Sequence, residues 1–195
     1  MTLTWDLPAR PLAWPVVVLV VASLAACEPA QQASVPGDDD VTADVRPSGS
    51  FPYEPTGAER HAILEPLQTL FDALEAGDAE LLRSVVRPGT TMVYAETRDG
   101  VTTQSTVTLD QLAERIESST VPLIERMWSP VVMRRGPVAT IWTPYDFYNG
   151  EEFSHCGIDA ATLLREDGAW KIVGLSWTRD EPPRCDLHPD GPPSG

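Results

Sequence analysis

The sequence predicts an α+β fold, with helices in the first half of one domain and antiparallel strands in the second. Three observations carry this expectation. Ile63, Leu67, Leu70, Phe71 and Leu74 recur at the spacing of one helix face. From Leu123 onward that period gives way to strand-like runs. Gly136-Pro137, Asn149-Gly150 and Asp167-Gly168 punctuate those runs, and the last two pairs supply the positive φ that tight hairpins need. A chain of 195 residues has room for one ordinary domain plus extensions, and its 19 prolines cluster towards the two ends. With 42% hydrophobic and 22% charged residues, the middle can bury a core.

Residues 1–26 read as a signal peptide. The apolar run from Pro15 to Ala26 would span roughly 18 Å as a helix, short of the ~30 Å hydrocarbon core of a bilayer. It ends in Leu24-Ala25-Ala26-Cys27, the form of a bacterial lipobox, so Cys27 is the expected lipidation site. If the cell is Gram-negative, Glu28 in place of an aspartate after the cysteine resembles the default signal for the outer membrane, periplasmic side; otherwise the expectation is a lipid anchor in the cell envelope. Residues 27–56 carry Pro, Ser, Gly and the run Asp38-Asp39-Asp40 without any apolar period, as expected of a disordered tether. The domain is expected at 57–185, and the tail 186–195 as disordered.

Within the domain, Pro66 should kink the first helix or mark a first-turn position. Gly77 ends that helix, and Asp78 caps a second, short one through Leu81, Leu82 and Val85. Pro88-Gly89 stops it; a strand follows from Thr91 to Glu96, and Asp110 caps a third helix through Leu112 and Ile116. The remainder is a four-stranded antiparallel meander. With Cys27 taken by lipid, Cys156 and Cys185 remain, in a compartment that permits disulfides. A bond between them is favoured over two separate thiols; it would close a loop of about 30 residues, worth roughly 3–4 kcal/mol.

The segments FDALEAGD, ERMWSP, VATIWTPYDFYNGEEFSHCG and REDGAWKIVGLSWT resemble the nuclear transport factor 2-like superfamily over roughly residues 58–185. Within it they are similar to bacterial members described as lumazine-binding or of unknown function. The resemblance implies a cone-shaped domain, a curved antiparallel sheet wrapped around the N-terminal helices and enclosing a cavity. It also implies that Trp170 and Ile172 point inward. The superfamily holds isomerases, dehydratases, cyclases, epoxide hydrolases and binding modules, so the fold does not choose among them.

Alternation along the strands then assigns the faces. A tight turn at Asn149-Gly150 pairs Trp142 with Gly157 and Thr140 with Asp159; one at Asp167-Gly168 pairs Leu163 with Ile172 and Asp159 with Ser176. The cavity wall would carry Trp142, Thr140, Asp146, His155, Asp159 and Ser176. Asp159, between two hydroxyls, is the candidate acid or base, with His155 assisting through a hydrogen bond to Asp146. The alternatives are a structural carboxylate and a rim histidine, with Trp142 as core before ligand platform. Asp146 and Asp159 would lie too far apart to act as one dyad, since four strand residues alone span roughly 13 Å.

The opposite face, with Ile141, Ile158, Leu175 and Trp177, would form an apolar stripe suited to a homodimer or to the C-terminal tail. A net charge of -15 argues against nucleic acid as a partner. His61, His155 and His188 lack metal-ligand spacing, and neither a phosphate loop nor a G-x-S-x-G motif appears, so no metal and no cofactor are expected. The leading expectation is a lipid-anchored module that binds a small molecule. A proton-transfer enzyme using Asp159, and an accessory protein acting through the outer sheet face, are the alternatives.

Overall fold

The computed structural model describes residues 53–193; the signal peptide, Cys27 and all but the end of the tether lie outside them. Helix α1 (Gly57–Ala76) buries the expected stripe, with Ile63, Leu67, Leu70, Phe71 and Leu74 at most 5% exposed. Each such side chain contributes about 1.5–3 kcal/mol on burial. Pro66 lies inside α1 and is itself buried. Gly77 ends the helix in the left-handed region at φ 68°, where a Cβ would be strained. Asp78 caps α2 (Ala79–Val85) by accepting the Leu81 N–H.

Strands β1 (Thr91–Arg98) and β2 (Val101–Thr108) form a hairpin around Asp99 and Gly100, both at positive φ. Helix α3 (Leu109–Ser118) follows, and its cap is Thr108, in a reciprocal box with Gln111, rather than Asp110. Asp110 sits in the first turn instead and pairs with Arg83 of α2. One strand was expected between Leu123 and the turn at Gly136; the structure has two, β3 (Leu123–Met127) and β4 (Val131–Arg135). The left-handed Ser129 and Pro130, which has no N–H to donate, break the run. Strands β5 (Val138–Asn149), β6 (Glu152–Glu166) and β7 (Ala169–Arg179) complete a curved sheet of order β2-β1-β7-β6-β5-β3, with β4 beside the start of β5. The sheet is mixed, because β1 and β7 run parallel. Helix α1 packs against β3 and β7, so the core lies between helix and inner sheet face.

Two bulges set the faces of the long strands. At the tip of the β5–β6 hairpin Asn149 pairs with Glu152, so Gly150-Glu151 forms the turn in place of Asn149-Gly150. That slip of two residues leaves every side chain on its expected side. Ser154 then stands unpaired between Phe153 and His155, and this single extra residue inverts β5 against β6. Asp159 therefore pairs with Thr143, and Gly157 with Tyr145. A second bulge at Val173 inverts β7, pairing Asp159 with Trp177 and Ala160 with Ser176.

Three expectations are overturned by these bulges. Thr140, Trp142 and Ser176 lie on the outer face, with Trp142 56% exposed. Ile141, Leu175 and Trp177 point inward, Ile141 and Leu175 as core residues, so of the expected outer stripe only Ile158 remains outside. Trp142 pairs with Ala160 and not with Gly157. A Cβ there would meet the Thr178 carbonyl at 2.2 Å, so glycine is required by the close approach of β7.

Candidate functional site

The inner sheet face and α1 enclose a cavity of about 140 Å³. Leu70, Leu74, Met92, Leu123, Phe147 and Leu175 make its wall largely apolar. Tyr94 of β1 stacks on Trp177 of β7, ring centroids 5.1 Å apart, and both rings line the cavity. Five groups that can carry charge interrupt this wall: Arg115, Glu125, His155, Asp159 and Arg179.

Asp159 is where the alternation along β6 puts it, inside and 1% exposed. Its expected hydroxyl neighbours are not there. Thr143, its true neighbour on β5, spends its own hydroxyl on the carbonyls of Trp128 and Pro144. Asp159 shares a hydrogen bond with Glu125 of β3 instead, which places two carboxyls side by side. Burial pushes Asp159 up to about 7, while the bond from Glu125 opposes the rise. Burial and the neighbouring Asp159 raise Glu125 well above the usual carboxylate range. Two carboxylates in contact cannot both ionise cheaply, so the pair holds one proton, which Glu125 gives to the shared bond. Asp159 Oδ2 is left buried with no hydrogen-bond partner among the described residues.

Glu125 escaped the sequence reading. The signal was its position between Leu123 and Met127 on one alternating face of LIERM, with Ile124, Arg126 and Trp128 on the other. Neither face of that segment is uniformly apolar, so periodicity could not choose between them.

His155 also faces inward, stacked on Phe147 at 4.9 Å with its Nδ1 3.0 Å from Ser154 Oγ. Burial lowers it to about 3, helped by Arg179 and Arg115, so the ring is neutral. Tyr145, beneath the pair, donates its hydroxyl to the Thr178 carbonyl at 2.7 Å; burial raises its pKa, and the charges of Glu125 and Asp159 add to the rise.

Asp146 does not join His155. It is fully buried on the other side of the sheet, accepting from Arg126 Nε at 3.0 Å, Arg126 Nη2 at 2.6 Å and the His188 N–H at 3.0 Å. The segment after Cys185 is pinned there. Cys156 and Cys185 form the expected disulfide, Asp180 and Cys156 exchange backbone hydrogen bonds, and His188 meets Trp128 edge-on at 5.4 Å. Of the two covers considered for the outer face, the tail is therefore present at Cys156.

Solved structures share this architecture over nearly their whole length. A nuclear transport factor 2-like protein from Cytophaga hutchinsonii matches with a TM-score of 0.52 and 16% identity, covering 63% of this chain and 99% of that one. A protein of unknown function with a cystatin-like fold, from Nostoc punctiforme, matches with a TM-score of 0.51 and 12% identity, covering 66% and 98%. The class is thus the nuclear transport factor 2-like fold, as the sequence resemblance implies. No curated protein matches the chain. Residues 58–178 match the family described as "Putative lumazine-binding", and the chain belongs to that family.

Proposed function

We propose that the chain is a lipid-anchored envelope module that holds a small molecule in this cavity, with a hydrogen-bond donor of that molecule on Asp159 Oδ2. The observation that carries this reading is the orphaned oxygen itself. A buried acceptor without a partner costs about 1–3 kcal/mol, and a bound donor would recover that cost. The apolar wall supports it, as does the flat Tyr94–Trp177 pair. The lipobox at Leu24–Cys27 supports the anchor, the outer membrane of a Gram-negative cell being the location it favours.

The family's description suggests lumazine as a first probe, since its ring N–H groups are donors of the required kind. Calorimetric titration of lumazine into the purified protein should give saturable binding, weakened about tenfold by Asp159→Asn. Absence of saturable binding at millimolar probe, or an unchanged affinity in the variant, would count against the reading.

A second reading, proton-transfer catalysis, is favoured by Glu125. The sequence offered one deep carboxylate, with Asp146 expected too far away to act beside it. The Glu125–Asp159 pair supplies an acid and a base side by side, with neutral His155 on the same wall. Deuterium exchange at the α-carbon of a small cyclic ketone, lost in Asp159→Asn, would move the assignment to catalysis. Exchange at the solvent rate would keep it with binding.

A further inference from the structure

Arg115 and Arg179 differ from most other arginines of the domain. Arg83, Arg87, Arg98, Arg126, Arg134 and Arg184 each pair with a carboxylate. Arg60 and Arg165 donate to backbone carbonyls, and Arg135 lies over Tyr53. The side chains of Arg115 and Arg179, like that of Arg135 outside the cavity, make neither a hydrogen bond nor an ion pair among the described residues, although the chain has 29 acidic residues to only 14 basic ones. The Arg179 guanidinium rests over the Tyr94 ring at 5.3 Å, and its Nε is buried without an acceptor.

Both arginines line the cavity, one from α3 and one from the end of β7. Both lie close enough to His155 for their charge to act on it. Arg179 and His155 also line an adjoining polar cleft of about 340 Å³, so the apolar cavity and the cleft share a wall. In that cleft Glu96 and Asp180 are engaged by Arg98 and Arg184, while Asp99 and Glu181 have no cationic partner among the described residues. Neither Arg115 nor Arg179 hydrogen-bonds the Glu125–Asp159 pair, so their charge is not spent on the shared negative charge there.

We infer that Arg115 and Arg179 form an anion subsite, and that the occupant of the cavity is a small apolar carboxylate with its charged end on these two guanidiniums. An apolar body fills the wall of leucine, methionine and phenylalanine. The carboxylate supplies the acceptor that Arg179 Nε lacks, in the two-point geometry guanidinium groups favour. Exclusion of water by the apolar wall strengthens that contact relative to the same pair in bulk solvent. This inference rests on the cavity being a ligand site.

Naphthalene-2-carboxylate and its neutral amide share one apolar body and differ in charge, so titrating both into the whole protein separates the two claims. The carboxylate should bind about tenfold more tightly than the amide at pH 8, and added salt should narrow the gap. Arg179→Gln and Arg115→Gln should each remove most of that preference, weakening the carboxylate far more than the amide. Arg179→Lys should retain part of it, and Arg83→Gln, remote from the cavity, should cause no such loss. Arg115 is exposed on α3, so its variant tests the subsite even where Arg179→Gln unfolds the protein. Equal binding of the two probes, or a preference that survives both variants, overturns the anion subsite and leaves the cavity reading standing. If neither probe binds, the anion subsite falls, and the lumazine titration decides whether the cavity reading falls with it.

Discussion

Two aspartates of one sheet are buried almost completely and could hardly be treated more differently. Asp146 on β5 accepts three N–H donors, two of them from a guanidinium, and holds the tail against the outer face. Asp159 on β6 faces the cavity beside another carboxyl, with one oxygen unpartnered and no cation bonded to it. Burial alone therefore does not mark a functional acid. The partner set separates the two: a carboxylate whose lone pairs are filled by its own chain is structural, whereas one kept short of donors has room for a donor from outside.

The comparison breaks first, and most visibly, at Asp146. Asp146→Ala leaves a partly buried Arg126 without its partner and frees the His188 N–H, and should cost about 3 kcal/mol in urea denaturation. A loss below about 1 kcal/mol would show that the clasp is not structural.

The pH dependence of stability should be next in size. The carboxyl pair has raised pKa values, so the folded state keeps a proton the unfolded chain releases, and stability falls as pH rises through the raised values. His155, lowered to about 3, works in the opposite sense: the unfolded chain takes the extra proton, so its contribution is present above about 6.5 and lost on acidification. The two slopes oppose each other in mildly acidic solution. Above about pH 6.5 only the pair still titrates, with a slope of up to about 1.4 kcal/mol per pH unit. Denaturation midpoints that stay flat from pH 6.5 to 8.5 would show that the pair does not hold a proton.

Smallest should be the effect of Asp159→Asn on stability. It removes the buried charge while keeping the shape, so at pH 8 stability should stay within about 1 kcal/mol of the parent or rise, even though ligand affinity drops. Asp146→Asn should lower stability under the same conditions. If both substitutions destabilise alike, the distinction between the two carboxylates is lost.

What the sequence could and could not disclose follows the same line through the sheet. The side of each β6 residue from His155 to Leu163 was legible, because no bulge interrupts that stretch and Trp170 with Ile172 oriented it. Thr140, Trp142, Asp146, Leu175, Trp177 and Ser176 were misplaced because Ser154 and Val173 each add one residue, and neither leaves a compositional trace. The β1–β2 hairpin was half seen. Asp99-Gly100 is as good a turn signal as the one that was used, but the Thr-rich run 102–107 forms an exposed edge strand and carries no apolar alternation. The partnership of Glu125 with Asp159 is a contact between distant parts of the chain, which no local pattern encodes.

The unpaired serine in β6 has an implication for how such a pocket diversifies. Loss of the codon for position 154 would restore an uninterrupted ladder and turn Thr140, Trp142 and Asp146 towards the interior, exchanging them for Ile141, Thr143 and Tyr145. A one-residue indel could thus rewrite the inward-facing side of β5 wholesale, replacing an isoleucine, a threonine and a tyrosine with a threonine, an indole and an acid while every remaining side chain keeps its identity.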